Sequence, residues 1–284
     1  MNRTAHAVRV GLARGWHEFG LSVRSPQDQG FYVFMAVATL AYLFWNRDDR
    51  VEGTSLLMPS VALPSMLGMV MVFGTVAGPA FSLALEREDG TLLRARAVPR
   101  GVTGYVTGQV LFQSLQVVPV FALILLPGLL LFDGLAHRGA AGWLTVAWVI
   151  PLGLLAVMPI GIVLGALAPN AQKVGTWGML PVFGLAAISG IFTPITALWG
   201  WVQVVAQVFP MYWIGLGMRS AFLPDAAAAL EVGGSWRTWQ TVAVLAAWAV
   251  AGALAAPPVL RRAARRTSGS QVEAAREAAA QLVR

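Results

Sequence analysis

The sequence predicts an all-α integral membrane protein with six membrane-spanning helices, and three observations lead to this fold class. Only 12% of its 284 residues are charged and 57% are hydrophobic, whereas a soluble domain carries about a quarter charged residues. Several apolar stretches reach the length of roughly 18 residues that a helix needs to cross a bilayer. The arginines behind the net charge of +7 stand between these stretches, which is typical of membrane orientation and does not indicate nucleic-acid binding.

Residues 1–29 are predicted to form a cytoplasmic amphipathic helix that lies on the membrane surface. Apolar side chains recur with the period of a helix and fall on one face, while charged ones fall on the other. The apolar face comprises Val8, Leu12, Trp16, Phe19 and Val23, and the polar face Arg3, Arg14, His17 and Glu18. The alternative is a basic flank that only anchors the first span; the periodic pattern favours the interfacial helix.

Residues 30–260 form the predicted transmembrane domain. Its six spans cover about residues 30–45, 55–85, 102–132, 142–168, 174–195 and 238–256. The first span is short, because 16 residues at ~1.5 Å each barely cross the ~30 Å hydrocarbon layer. Small residues four positions apart, at Gly74/Gly78 and Gly161/Gly165, predict close packing between helices.

Two further segments flank the sixth span. The stretch before it is too apolar for a free loop, yet Pro194 and Pro210 divide it into pieces too short to cross the membrane. A re-entrant hairpin on the outer side, over about residues 194–222, therefore fits this stretch best. After the span, residues 261–284 form a basic cytoplasmic tail, in which Ser270 and Glu273 fit the capping box of a short helix.

The distribution of positive charge predicts the orientation. Fifteen of the 20 lysines and arginines fall in the segments on the N-terminal side of the membrane, and five fall on the opposite side. The positive-inside rule therefore places both termini in the cytoplasm. The charged segment between the second and third spans is then cytoplasmic as well.

The sequence lacks the residues that several kinds of site require. It has no cysteine, which excludes disulfides, thiol nucleophiles and thiolate metal sites. No histidine falls in a predicted span, and "HEFGL" at residues 17–21 fails the HExxH zinc motif. Lys173, in "AQKVG", is the only lysine, so the chain has no Walker A loop and no ATP site of its own. We expect no catalytic residue, no metal and no bound cofactor.

One face of the third span carries polar side chains: Tyr105, Gln109, Gln113 and Gln116. Amides inside a membrane need hydrogen-bond partners, so this face should point into the bundle or into a cavity. Two interpretations stay open. The side chains either join neighbouring helices or line a translocation path.

The second span runs directly into "ALEREDGTLLRARAVPRG", and this arrangement resembles the membrane subunits of type-2 ABC exporters, the superfamily of daunorubicin-resistance permeases. The matching residues there are Glu86, Arg87, Glu88, Gly90, Thr91, Leu92, Arg94 and Pro99. A second match follows the fifth span, at Ser189, Gly190, Phe192, Pro194, Pro210, Tyr212 and Arg219. The resemblance covers about residues 5–256.

The resemblance implies roles for these residues. Residues 86–99 would form the coupling helix that contacts a separate ATPase subunit, with Asp89 and Arg96 among the contacting residues. Ser189, Gly190, Pro194, Pro210, Tyr212 and Arg219 would belong to an outer gate. The alternative for residues 86–99 is that their charges only anchor the inner ends of two spans.

We therefore expect the permease subunit of a bacterial ABC exporter in the cytoplasmic (inner) membrane. Its partners would be two copies of an ABC ATPase, which bind ATP and Mg²⁺, and a second permease chain in a homodimer. Its substrate would be an amphiphilic or hydrophobic drug, lipid or natural product, which suits a role in drug resistance. The alternatives are an ion-coupled secondary transporter and a membrane enzyme or assembly factor.

Overall fold

A computed structural model describes residues 3–51, 54–89, 101–132, 135 and 138–266 of the chain. Within these residues the protein is helical and contains no β-strand; an isolated bridge joins Arg50 to Leu57. The fold class predicted from the sequence, an all-α protein, is confirmed. Of the predicted basic tail, residues 261–266 continue the last helix, which ends at Arg266, and residues 267–284 lie outside the described residues.

We number the α-helices of the described residues in chain order. They are α1 (Arg3–Arg24), α2 (Pro26–Trp45), α3 (Met58–Glu88), α4 (Gly101–Leu131), α5 (Gly139–Leu167), α6 (Leu180–Ala187), α7 (Gly200–Val208), α8 (Pro210–Phe222) and α9 (Thr238–Arg266). A helical turn at Ala171–Lys173 and a π-helical turn at Val174–Gly178 precede α6. Short 3₁₀ turns at Ile195–Ala197, Asp225–Leu230 and Val232–Gly234 lie in the connections.

Four helices of the described residues are long and apolar enough to cross a membrane. They are Met58–Glu88, Thr103–Leu131, Gly139–Leu167 and Thr238–Leu260. These helices correspond to the second, third, fourth and sixth predicted spans, and the chain is a multi-pass membrane protein. The total of six spans is not confirmed by the helices themselves.

The first and fifth predicted spans differ from the other four for identifiable reasons. The helix α2 has 20 residues and opens with the polar sequence "PQDQG", so only residues 31–45 form its apolar part. The fifth is not one continuous helix, because a π-helical turn precedes α6 and α6 has only 8 residues. Pro181 stands in the first turn of α6, where its missing N–H cannot continue the hydrogen bonds of the preceding turn.

The long helix α5 lies at the centre of the bundle and packs against α3, α8 and α9. Glycines allow these close contacts. A Cβ atom at Gly165 would stand 2.5 Å from the carbonyl oxygen of Ala80 on α3, and one at Gly161 would meet the carbonyl oxygen of Val76. The Gly161/Gly165 pair therefore forms a contact between α5 and α3, as its spacing predicts.

The N-terminal helix α1 packs against α4 through a second set of glycines. Gly11 and Gly15 of α1 face Gly104 and Gly108 of α4, and a Cβ atom at Gly15 would lie 2.5 Å from the carbonyl oxygen of Gly108. The apolar stripe faces away from the protein, with Trp16 64% exposed. The side of α1 that carries Arg14 and Glu18, which was predicted to be the polar face, is therefore the side that packs against the bundle through Gly11 and Gly15.

The glycine contacts of α1 predict opposite effects for two alanine substitutions in the same helix. Gly15→Ala should destabilise the protein by about 1–3 kcal/mol, because the new methyl group meets the backbone of α4. Gly20→Ala should stabilise it by up to about 1 kcal/mol, since a Cβ atom at Gly20 has nothing within 4 Å and alanine favours helices. Thermal unfolding in detergent measures both. Equal melting temperatures for the two variants would contradict this packing.

Candidate functional site

The inner end of α3 carries three consecutive charged side chains, and each of them contacts a different part of the protein. Glu86, Arg87 and Glu88 form the last turn of the helix, and all three are partly buried. Their partners lie on α1, at the end of α5 and in the turn before α6. We call these three residues the α3 joint.

Glu86 binds α1 through an ion pair with Arg14. The Arg14 Nη2 atom lies 2.7 Å from Glu86 Oε1, and the Glu86 side chain is only 15% exposed. Arg14 also donates through Nε to Glu18, at 2.6 Å, and its guanidinium lies 5.2 Å from the centre of the Tyr105 ring on α4. This corner therefore brings α1, α3 and α4 together.

Two carboxylates bind the guanidinium group of Arg14. Burial lowers the pKa of Arg14, but the hydrogen bonds that it donates to Glu18 and Glu86 outweigh that effect and raise it. Arg14 therefore remains a cation at any physiological pH, and the ion pair with Glu86 does not depend on its titration.

Arg87 binds the end of α5. Its Nη1 atom donates to three backbone carbonyl oxygens, those of Gly165 at 3.0 Å, Ala166 at 3.0 Å and Ala168 at 2.8 Å. The last carbonyl groups of a helix have no partner within the helix and carry a partial negative charge. A guanidinium at this point therefore supplies the missing donors and fixes the end of α5 to the end of α3.

Glu88 binds the segment that follows α5. Its Oε1 atom accepts a hydrogen bond from the backbone N–H of Ala171, at 2.7 Å. In the same turn, the Asn170 side chain accepts from the N–H of Lys173, at 2.8 Å. The two side chains together satisfy N–H groups that open this helical turn.

The three charged side chains of the α3 joint therefore bind partners within this chain. The sequence analysis assigned Glu86, Arg87, Glu88 and Asp89 to contact with an ATPase; of these, Asp89 is exposed. Five further residues of that predicted contact lie outside the described residues: Gly90, Thr91, Arg94, Arg96 and Pro99. The structure thus shows the base of the predicted coupling helix and how this base connects to α1 and α5.

The polar face of α4 points into the bundle. Tyr105, Gln109 and Gln113 are each at most 5% exposed. Gln113 lies against Gly78 of α3. Gln109 donates to Tyr105 at 3.4 Å, and its Oε1 atom is buried without a hydrogen-bond partner among the described residues.

Gln116 takes part in a hydrogen-bonded cluster between three helices. It accepts a hydrogen bond from the Tyr32 hydroxyl on α2, at 2.6 Å, and donates to the Ser22 hydroxyl on α1, at 3.0 Å. The two hydroxyls lie 2.9 Å apart. Gln116 therefore links α4 to α1 and α2.

A buried ion pair lies at the opposite end of the bundle. Arg219 on α8 is 3% exposed and Glu231 is 4% exposed. Arg219 Nε donates to Glu231 Oε1 at 2.5 Å, and Nη2 donates to Oε2 at 3.2 Å. Arg219 Nη1 donates to the carbonyl oxygen of Gly190, at 3.1 Å, and to the Ser65 hydroxyl on α3, at 3.3 Å.

The other residues of the predicted outer gate lie in two separate parts of the structure. Gly190 and Pro194 lie close to Arg219, and with Glu231 all four line one cavity. Gly190 adopts a left-handed backbone conformation, with φ +76°, which favours glycine. Ser189 caps the preceding turn by donating to Ala186, at 2.7 Å. Pro210 and Tyr212 instead belong to the first turn of α8, and both are buried.

Neither Glu231 nor the inward position of Arg14 was predicted from the sequence. Glu231 stands alone in the small and apolar sequence "AAAALEVGG", and a lone carboxylate in such surroundings calls for a cationic partner. For Arg14, Gly11 and Gly15 on the same side of α1 were the available signal, because small residues mark the face that packs closely. Among the described residues, no group of three histidine, aspartate or glutamate side chains is placed to hold a metal ion.

The family model described as ABC-2 type transporter matches residues 28–223 of the chain. The matched region begins within α2 and ends directly after α8, so it contains the α3 joint and Arg219. No curated protein matches the chain.

The buried ion pair predicts a non-additive mutational cycle. Glu231→Leu or Arg219→Met alone should destabilise the protein by about 3–5 kcal/mol, because each leaves one buried charge without its partner. The double variant should lose less than the sum of the two, since it removes both charges. Thermal unfolding of the four proteins in detergent measures the cycle. Additive losses would show that Arg219 and Glu231 do not act as a pair.

Proposed function

This chain belongs to the ABC-2 type transporter family and is the membrane subunit of an ABC transporter; from this premise, we propose that it exports a hydrophobic or amphiphilic compound. In such a transporter ATP hydrolysis lies in a separate ATPase subunit, with which the membrane subunit associates. The drugs, lipids and natural products named above are the substrate classes that suit its apolar composition.

The observation that carries the proposal is the α3 joint. A force that an ATPase applies to residues 90–99 enters the membrane domain where these residues meet α3. Glu86 and Arg87 bind α1 and the end of α5 at that point. Hydrogen bonds in which the donor or the acceptor is charged are among the strongest in proteins, so a displacement of the joint moves α1 and α5 together with α3.

The proposal includes an orientation and a membrane placement. With both termini in the cytoplasm of a bacterial cell, the α3 joint faces the ATPase and the Arg219–Glu231 pair faces outward. The helices α2 and α6, with the turns before α6, complete the six spans. The pair α7 and α8 forms the re-entrant hairpin, because the 13 residues of α8 cover only about 20 Å of a ~30 Å layer.

The proposed assembly contains two copies of this chain and two ATPase subunits, which bind ATP and Mg²⁺. The exposed stripe of α1, with Leu12 and Trp16 uncovered, suits contact with the inner leaflet. ATP-driven closure of the ATPase pair would push on residues 86–99 and on α1. The cavity between the two permeases would then change shape, and the outer hairpin would release the substrate.

Affinity purification tests the proposal directly. Tagged protein extracted from its native membrane should retain a P-loop ATPase, identified by mass spectrometry, together with ATPase activity. Reversing Arg94 and Arg96 to glutamate should remove both, because these charges belong to the proposed coupling helix. Reversal of Arg47 and Arg50, at the other end of the bundle, is the matched control and should leave the complex intact.

Two outcomes would contradict the proposal. One is a chain that purifies without any nucleotide-binding partner. The other is transport of an amphiphilic dye that survives ATP depletion and collapses with the proton gradient, which would identify an ion-coupled transporter.

A further inference from the structure

A cavity of about 180 Å³ lies at the end of the bundle opposite the α3 joint. Val61, Ala62 and Met66, in the first turns of α3, form one wall. Ala227 and Leu230, in the 3₁₀ turn after α8, form the wall across from it. Most of the remaining lining is apolar as well, so the cavity offers a site for an apolar group.

The charged residues of the cavity do not make it a site for an anion. All three nitrogen atoms of Arg219 donate hydrogen bonds within the protein, to Glu231, Ser65 and Gly190. Both carboxylate oxygens of Glu231 accept from Arg219. An anionic head group would have to break these bonds inside a buried site, whereas an apolar group leaves them intact.

The size of the cavity limits its occupant. An enclosed apolar cavity of ~150 Å³ in another protein holds one benzene molecule. A space of about 180 Å³ therefore holds roughly six carbon atoms. That is the end of an alkyl chain and not a whole lipid or drug molecule.

The mouth of the cavity indicates where such a chain enters. Tyr42 and Phe192 belong to the lining, yet they are 41% and 59% exposed. Because both side chains are exposed on the outside of the bundle, a chain that enters beside them arrives from the surroundings of the protein.

Several contacts hold the wall formed by residues 225–231 in place. Glu231 binds Arg219, and the Leu230 carbonyl accepts from the Thr196 hydroxyl, at 3.3 Å. Asp225 forms an ion pair with Arg138, at 3.1 Å. The wall formed by residues 225–231 is therefore joined to three other parts of the protein, at Arg138, Thr196 and Arg219.

We propose that this cavity binds the terminal carbons of an alkyl chain, which enters from the surrounding membrane between Tyr42 and Phe192. The site is separate from the α3 joint, and its test does not depend on transport. A bilayer lipid and a free amphiphile both supply such a chain, and the experiment below separates the two sources.

Photochemical labelling of the full-length protein tests the proposal in two arms. In the first, the protein is reconstituted in phosphatidylcholine vesicles whose acyl chains carry a terminal diazirine. In the second, decanol with a terminal diazirine is added to the protein in detergent. Mass spectrometry should locate the label on lining residues such as Tyr42, Met58 and Met66. Labelling in the first arm identifies bilayer lipid as a source, and labelling in the second identifies a free amphiphile.

Variants that fill the cavity provide the decisive comparison. Val61→Phe should lower the labelling of the lining about tenfold, since losing the burial of two methylene groups corresponds to such a change in affinity. Leu57→Phe is the matched control, because Leu57 is 42% exposed, stands at the same end of α3 and should leave labelling unchanged. Ala62→Leu replaces Val61→Phe if the latter does not fold. An unlabelled lining in both arms, or equal labelling in the filled variant and the wild type, would overturn the proposal.

Discussion

Charged side chains at the end of a membrane helix need partners, and this requirement organises the inner end of the protein. Three consecutive charges close α3, and each is satisfied by a different element: Arg14 of α1, the last carbonyls of α5 and the N–H of Ala171. The burial of each charge is favourable only while its partner stays in place. The middle of α1 and the inner ends of α3 and α5 are therefore held together.

The close packing of helices makes these contacts possible, and α3 extends them through the bundle. Gly11 and Gly15 let α1 approach α4 closely enough for Arg14 to reach Glu86. At its other end, α3 offers Ser65 to Arg219, which holds Glu231. One helix thus connects a charged cluster at each end of the protein. Coupling between distant sites travels through such contiguous networks of packed helices and polar contacts.

The long apolar helices could be predicted from composition and length, because their boundaries follow the bilayer requirement. The interruption at Val174–Gly178 could not be predicted, since a largely apolar stretch of 22 residues does not show where its glycines and Pro181 break the helix. The residues of the α3 joint were identified from the ERE sequence, but their partners were not. Contacts such as Arg87 with Ala168 join residues 81 positions apart, and no local pattern encodes such distances.

The central claim is that the α3 joint passes ATP-driven motion to the rest of the membrane domain. Because the chain has no cysteine, spin labels placed at Ala13 and Ala229, both exposed, report one distance along the bundle by pulsed electron paramagnetic resonance. In the complex with its ATPase, ATP should change this distance. Glu86→Gln or Arg87→Gln should abolish the change while ATP hydrolysis continues, and Asp48→Asn, at an 88% exposed side chain, should preserve it. A full ATP-dependent change in the Glu86 and Arg87 variants would contradict the account.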